Sequence, residues 1–219
     1  MLVERFDALG VSAVGYEGKH PRRFGWGDLK PNSAQQYFRR DGSPLNIGWI
    51  MGEQSGCLVD FDIDIDDPVL VGKAVEVLRS YGAVFVGRGG AVRHAMFRYR
   101  GRPLSDQLAI KLARHDSAGH IEWRRGGRKP DGTLKTIQSF VEGTHPSGEK
   151  LEWMEGTEPH TADDFTTLDW SELGDLWQQL QTQLELEERV AKPASATAAR
   201  PRQPKTRAEK LLLEEVLAC

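Results

Sequence analysis

The strictest alternation of hydrophobic and polar positions runs from Gly56 to Pro68. Every second residue from Cys57 to Ile65 is apolar, and the positions between them, after Leu58, are all aspartates. Successive side chains of a β-strand point to opposite faces, so this pattern predicts one strand with an apolar face and an acidic face. Neighbouring acids on that face would lie about 6–7 Å apart. They are Asp60, Asp62, Asp64 and Asp66.

This row of acids has two interpretations, and the pattern alone leaves both open. Like charges at such a spacing repel one another, and a divalent cation held by two carboxylates at i and i+2 would relieve the repulsion. Mg²⁺ and Mn²⁺ prefer such oxygen ligands, and two-metal sites are the usual machinery of nucleotidyl transfer. The alternative is an exposed acidic edge strand, whose charges discourage aggregation.

A helix is predicted directly after the acidic strand. Asp67 and Pro68 have the character of an N-cap and a first helical residue. Apolar residues then recur at helical spacing over residues 70–81, and Gly82 supplies a stop. Because another apolar run follows at residues 83–86, the order strand, helix, strand suggests a crossover unit.

Alternation and turn residues predict several further elements, which together indicate an α/β (α+β) fold. The predicted helices cover residues 2–9 and 33–40, and the predicted strands cover residues 11–16, 46–51, 92–99, 109–113, 119–124, 136–141 and 151–153.

The pattern changes after residue 160. Asp169 and Glu172 have the spacing of a capping box, and one apolar stripe then predicts a helix to about Val190. Ala, Pro and basic residues follow, which are typical of a linker. We therefore expect a sheet domain at residues 1–160, a helical extension packed on it at 161–190, a linker at 191–206, and a short helix at 207–219. That last helix ends abruptly, as if a longer module were cut there.

Composition narrows the possible classes of function. The 219 residues carry a formal net charge of −3, so a nucleic-acid surface would have to be a local basic strip. The two cysteines, Cys57 and Cys219, lie far apart, which argues against a disulfide or a zinc site and fits a reducing cytoplasm. Neither a secretion signal nor a membrane span is predicted.

Three other stretches carry candidate chemistry, each with a plainer interpretation. The basic, glycine-broken residues 17–27 predict either a surface loop or an electropositive lip for phosphates. His94 follows a glycine-rich turn beside Arg93, although a lone histidine in a strand is more often structural. Glu122 and Arg124 share a strand face, where such pairs are usually surface ion pairs of little energetic weight.

Taken in order, these motifs resemble the primase–polymerase family of the archaeo-eukaryotic primase superfamily, in the versions found in phage and plasmid replication proteins. The resemblance covers residues 10–155. It is carried by Lys19-His20-Pro21 with Trp26, by Asn46 through Gly56, by Val59 to Asp64, by Gly87 to His94, by Ile121 to Arg124 with Gly126 and Gly127, and by Phe140 to Gly148. One departure is that Val141-Glu142-Gly143 replaces the family's Pro-Pro-Ser.

The resemblance implies a fold, a metal site and a set of contacts. The fold would be a primase-like catalytic domain with a mixed central sheet flanked by helices, here with added C-terminal helices. Asp62 with either Asp60 or Asp64, together with Glu122, would hold two Mg²⁺ or Mn²⁺ ions, with no zinc. The implied nucleotide contacts are His94, Arg93, Arg124, His145, Lys111 and Arg88. The implied template contacts are Arg22, Arg23, Trp26 and Trp49.

The function implied is a template-dependent primase–polymerase that makes primers and extends DNA by two-metal nucleotidyl transfer. Its partners would be a single-stranded DNA template or primer and an NTP or dNTP. A helicase or helical module would be fused to it, and it would act in the cytoplasm, that of the bacterial host if phage-encoded. Two alternatives remain: a metal-dependent nuclease or phosphodiesterase, and a non-catalytic DNA-binding replication module whose acids serve solubility.

Overall fold

The computed structural model describes residues 2–17, 20–21, 37–39, 41, 43–101, 109–113, 119–128, 132–154 and 156–189. Several sequence predictions lie outside these ranges. They are the template contacts Arg22, Arg23 and Trp26, most of the helix at 33–40, the linker at 191–206, and the helix at 207–219.

The described residues form α-helices and short β-strands, with single 3₁₀ turns at Glu53–Ser55 and Ala162–Asp164. The helices are α1 (Leu2–Ala8), α2 (Pro68–Ser80) and α3 (Trp170–Gln183). The strands are β1 (Ala13–Glu17), β2 (His20–Pro21), β3 (Asn46–Ile50), β4 (Leu58–Ile65), β5 (Val84–Arg88), β6 (Ala91–Arg100), β7 (Ala109–Ala113), β8 (Gly119–Arg124), β9 (Gly127–Arg128), β10 (Leu134–Lys135), β11 (Gln138–Thr144), β12 (Lys150–Trp153), β13 (Thr167–Asp169) and β14 (Glu187–Arg189).

The acidic strand β4 lies inside a curled sheet and not at its edge. The strand order is β14-β7-β8-β4-β6-β5-β12-β11-β3-β1-β2, and β13 adds to β6. Neighbours are antiparallel except for the parallel β13/β6 pair, so the fold is a mixed α+β arrangement. Because β4 is hydrogen-bonded on both sides, its acids do not protect an exposed edge, and that alternative is wrong.

The predicted crossover is present in a modified form. Strands β4 and β5 are both antiparallel to β6, so they run parallel to each other, and α2 connects them. Strand β6 is inserted between them, which gives a split βαβ arrangement. Helix α2 begins as predicted, because the Asp67 side chain accepts hydrogen bonds from the backbone N–H groups of Val69 and Leu70.

The apolar face of β4 forms the largest core with α2 and α3. Phe61 is fully buried and stacks on Trp123 of β8 with ring centroids 5.7 Å apart. Trp177 of α3 lies 6.1 Å from Phe61 by the same measure. Truncating such a buried aromatic side chain typically costs about 3–5 kcal/mol. Since side chains alternate, burying this face turns Asp60, Asp62 and Asp64 to the other one.

The segment after residue 160 belongs to the same compact unit, Met1–Arg189. Asp169 and Glu172 form the predicted capping box, and Leu173, Leu176 and Leu180 of α3 are fully buried in the core. The helix ends at Gln183 and not near Val190, because Glu185 adopts a left-handed backbone conformation and β14 then pairs with β7. None of the described helices is long and apolar enough to cross a membrane.

Candidate functional site

A cleft of about 400 Å³ opens on the acidic side of β4, in the concavity of the curled sheet. Three strands separate β4 from β11 in the strand order, yet both contribute to the cleft walls. The lining residues are Tyr16, Asp62, Ile63, Asp64, Arg88, Arg93, His94, His120, Glu122, Arg124, Gln138, Phe140, His145 and Leu151. The cleft thus combines three carboxylates with several arginines and histidines.

Carboxylates from two strands meet at the base of this cleft. Asp62 of β4 lies directly opposite Glu122 of β8 in the antiparallel register. Directly opposed residues have Cβ atoms about 4.5–5.5 Å apart. The side chains of Asp62 and Glu122 are 17% and 12% exposed, and that of Asp64, which lies opposite His120, is 62% exposed. The predicted union of acids from separate strands is therefore present in the fold.

The Arg124 guanidinium lies between Asp62 and Glu122. Its Nε donates to Glu122 Oε2 at 2.8 Å, and its Nη2 forms an ion pair with Asp62. Burial is the largest influence on the pKa of Arg124 and lowers it, but the charges of Asp62, Asp60 and Glu122 together raise the pKa above its ordinary value. One positive group is thus already shared between the two carboxylates.

The acids around Arg124 carry the type of oxygen ligand that a hard divalent cation prefers. With the side chains as they stand, no three His, Cys, Asp or Glu groups among the described residues are grouped to hold a metal ion, and the Arg124 guanidinium is paired with both carboxylates. Rotation of Arg124 away from Asp62 and Glu122 would leave carboxylate oxygens from β4 and β8, the ligands that Mg²⁺ and Mn²⁺ prefer. Asp64 is the further carboxylate that lines the same cleft.

Asp60 is on the same face of β4 but does not line the cleft. It is fully buried, and its Oδ2 accepts hydrogen bonds from His94 Nδ1 at 2.9 Å and from Ser139 Oγ. Of the two metal-binding pairs that the sequence left open, the geometry therefore favours Asp62 with Asp64. The acids of β4 divide into one buried carboxylate and two that reach the cleft.

Apart from His120 and Arg124 of β8, the basic residues of the cleft come from β5, β6 and the turn after β11. The pairing of β5 with β6 skips Arg93, which makes Arg93 the extra residue of a β-bulge. Bulges re-aim side chains, and here Arg93 lines the cleft beside its neighbour His94. Arg93 Nη1 also donates to the carbonyl of Ile65 at 2.9 Å, and Arg88 lies 3.6 Å from Glu149.

His94 is 6% exposed and combines two opposing electrostatic effects. Burial is the largest influence on its pKa and lowers it. The charges of Asp60 and Asp62, with the hydrogen bond to Asp60, outweigh that effect and raise the pKa above its ordinary value. His94 therefore keeps its second ring proton to a higher pH than an ordinary histidine does.

His145 lies on a turn that is fixed from two sides. Its Nδ1 is 2.8 Å from Ser147 Oγ, and the Asn46 side chain exchanges hydrogen bonds of 2.9 and 3.0 Å with the backbone of Thr144. Val141-Glu142-Gly143 is the tripeptide that replaces the Pro-Pro-Ser expected from the resemblance. Its Glu142 forms a 2.9 Å ion pair with Arg5 and does not line the cleft. The turn, and not the tripeptide, contributes to the site.

The predicted template contact at Trp49 is wrong. Trp49 is fully buried in a second hydrophobic cluster, separate from the core around Phe61, and its ring centroid lies 5.2 Å from that of Trp153 and 6.5 Å from that of Phe6. A ring without exposed surface has no face on which a base can stack.

Lys111, the remaining predicted nucleotide contact, lies in β7 opposite Glu122 in the backbone register.

Some cleft residues were not predicted from the sequence. His120 precedes Glu122 by two positions on β8, so the same alternation that placed Glu122 would have placed it on this face. Tyr16, Gln138 and Phe140 carry no comparable signal, because their position depends on how far the sheet curls.

Comparison with known proteins gives no family assignment. No family model matches the chain, and no curated protein matches it either.

Proposed function

We propose that this chain is a template-dependent primase–polymerase domain that joins nucleotides with the help of Mg²⁺ or Mn²⁺. The observation that carries this proposal is the meeting of Asp62, Asp64 and Glu122 with Arg88, Arg93, His94, Arg124 and His145 in one cleft. Nucleotidyl transfer needs this pairing of an acidic and a basic wall, since cations must be held beside a triphosphate.

The acidic wall would provide the metal ligands. Asp62 and Glu122 face each other across β4 and β8, and Asp64 lies two residues further along the same strand face. Divalent ions bound there would activate the primer 3′-hydroxyl and neutralise charge on the triphosphate and the departing pyrophosphate. No protein nucleophile is required, because phosphoryl transfer depends mainly on positioning and on charge stabilisation.

The basic wall would hold the triphosphate. Arg93 and His94 are adjacent on β6 and would donate charge-assisted hydrogen bonds to phosphate oxygens. Arg88 and His145 come from the neighbouring strand β5 and the turn after β11, so they would contact the nucleotide from another side. Arg124 would leave the two carboxylates when cations bind and could then also turn to the phosphates.

A primer-extension assay tests the function. The protein is incubated with single-stranded template and labelled dNTPs or NTPs, with Mg²⁺ or Mn²⁺, and with and without a primer. We expect incorporation by the wild type, and its loss to background in Asp62→Asn. The control is Asp66→Asn, which removes an exposed acid directly after the same strand and should leave incorporation unchanged.

The outcomes separate the three functions. Incorporation retained by a folded Asp62→Asn protein would refute the mechanism. Metal-dependent cleavage of DNA in the absence of nucleotides would instead favour a nuclease or phosphodiesterase. DNA binding that needs no metal, with neither incorporation nor cleavage, would favour a non-catalytic replication module.

A further inference from the structure

A buried hydrogen-bonded group lies directly behind the cleft wall and joins three strands. Asp60 of β4 and Ser139 of β11 are both fully buried, and His94 of β6 is 6% exposed. Asp60 Oδ2 accepts from His94 Nδ1 at 2.9 Å and from Ser139 Oγ. Only His94 of the three also lines the cleft.

The hydrogen-bonding chemistry of the Asp60 carboxylate determines which ring nitrogen of His94 carries the proton next to it. An ionised carboxylate only accepts hydrogen bonds, so the His94 nitrogen next to it must be the N–H donor. The Ser139 hydroxyl donates to the same oxygen and holds the carboxylate in place. With Nδ1 engaged, Nε2 is the nitrogen left to interact with a ligand in the cleft.

A purely structural role explains Asp60 poorly. Burying a carboxylate is costly, and its Oδ1 finds no hydrogen-bond partner among the described residues. On the side toward Leu58 and the cross-strand Met96 its neighbours are apolar and fully buried, while Arg124 of β8 lies opposite it in the register on the other side. An apolar residue in such a position often stabilises a fold as well as or better than a charge does.

We propose that Asp60 and Ser139 are positioning residues that hold the His94 ring with Nδ1 inward and Nε2 toward the triphosphate of a bound nucleotide. This inference rests on the proposed function, and it removes Asp60 from the set of metal ligands. It also assigns a role to Ser139, which lies 79 residues away from Asp60 in the sequence and reaches it only because the sheet curls.

The first test is the ring proton of His94, observed by NMR in protein with ¹⁵N-labelled histidine and assigned by its loss in His94→Gln. We expect an exchange-protected Nδ1 proton signal in the wild type, an upfield shift in Asp60→Asn, and loss of the signal in Asp60→Leu. In a comparable Asp–His pair, replacing the acid leaves the geometry intact but lets the histidine adopt the wrong tautomer. An unchanged Nδ1 signal in Asp60→Leu would overturn the proposal.

The second test is kinetic and uses single and double variants. Partners that orient a ligating group typically contribute about 10- to 100-fold, so Asp60→Asn should raise the KM for nucleotide by about that factor with a smaller change in kcat. Because Asp60 would act through His94, adding Asp60→Asn to His94→Gln should have no further effect. Effects that multiply instead would contradict the proposal.

Two further measurements are the Mn²⁺ affinity of the Asp60 variant and the nucleotide KM of serine variants. Mn²⁺ titration without nucleotide should give similar affinities for Asp60→Asn and the wild type, whereas equal weakening in Asp60→Asn and Asp62→Asn would make Asp60 a ligand and overturn the proposal. Ser139→Ala should raise the KM and Ser139→Thr should restore it. Ser55→Ala removes another fully buried hydroxyl, bonded to the Ser12 amide, and should not change the KM. A wild type that incorporates no nucleotide would refute the proposed function, while the Nδ1 signal still decides the positioning.

Discussion

The replacement Arg124→Gln tests whether the two opposed carboxylates need a cation between them. Arg124 is paired with both Asp62 and Glu122, whose side chains are only 17% and 12% exposed. Hydrogen bonds to charged groups contribute about 1.5–3 kcal/mol each, and the variant no longer bears the cost of desolvating a partly buried guanidinium, which offsets part of that loss. We therefore expect the free energy of unfolding to fall by about 3 kcal/mol in metal-free protein.

Divalent cations should reverse this loss. A fall of about 3 kcal/mol corresponds to a decrease in Tm of about 6–12 °C for a domain of this size. A ligand present at 100 times its Kd adds about 2.7 kcal/mol, so saturating Mn²⁺ should restore most of the stability of Arg124→Gln. The wild type should gain less, because Mn²⁺ must there displace the guanidinium.

Thermal unfolding followed with chelator and with increasing Mn²⁺ provides the measurement. Arg100→Gln is the matched control, since Arg100 is an exposed arginine on β6 and exposed substitutions usually change stability by about 0.5 kcal/mol or less. The reasoning would be refuted if metal-free Arg124→Gln were as stable as the wild type. It would also be refuted if Mn²⁺ raised the two Tm values equally.

Two further predictions concern the cleft walls. The pKa of His94, measured by NMR titration of metal-free protein, should lie above the ordinary 6.5. The stability that protonated His94 contributes is then fully present below about pH 6.5 and lost as the pH rises through the folded-state pKa, so unfolding experiments should show this decline in the wild type and not in His94→Gln. Gly119→Ala should weaken Mn²⁺ binding and lower the Tm, because a Cβ there would lie 2.3 Å from the backbone oxygen of Asp64. Gly90→Ala, at a position that also has a positive φ (80° against 121° at Gly119) but no atom within 4 Å of the added Cβ, should lower the Tm less and leave Mn²⁺ affinity unchanged.

Local patterns predicted the elements but not their arrangement. The alternation of β4 predicted the strand, its buried face and its acidic face, because a period of two depends only on the chain itself. The caps at Asp67 and Asp169 were predicted for the same reason, since an N-cap bonds to backbone groups two or three residues away. The insertion of β6 between β4 and β5 could not be predicted, because strand order depends on contacts between distant segments.

The different positions of the three aspartates of β4 could be distinguished only from the structure. Asp60, Asp62 and Asp64 are equivalent in the alternating pattern, and only the approach of Ser139 and His94 distinguishes the first of them. The predicted template contact at Trp49 was wrong for a related reason, because an aromatic residue in a short strand suits a buried core as well as an exposed stacking surface. Burial of the whole ring follows from its packing against Trp153, which lies about a hundred residues away.

The central claim is that carboxylates from β4 and β8 bind divalent cations beside a nucleoside triphosphate. Crystals grown with Mn²⁺ and a non-hydrolysable dNTP analogue test it most directly, through the anomalous signal of manganese. We expect anomalous peaks in contact with carboxylate oxygens of Asp62 and Glu122, with the triphosphate against Arg93 and His94. Manganese bound elsewhere, with Arg124 still paired to both carboxylates, would contradict the claim.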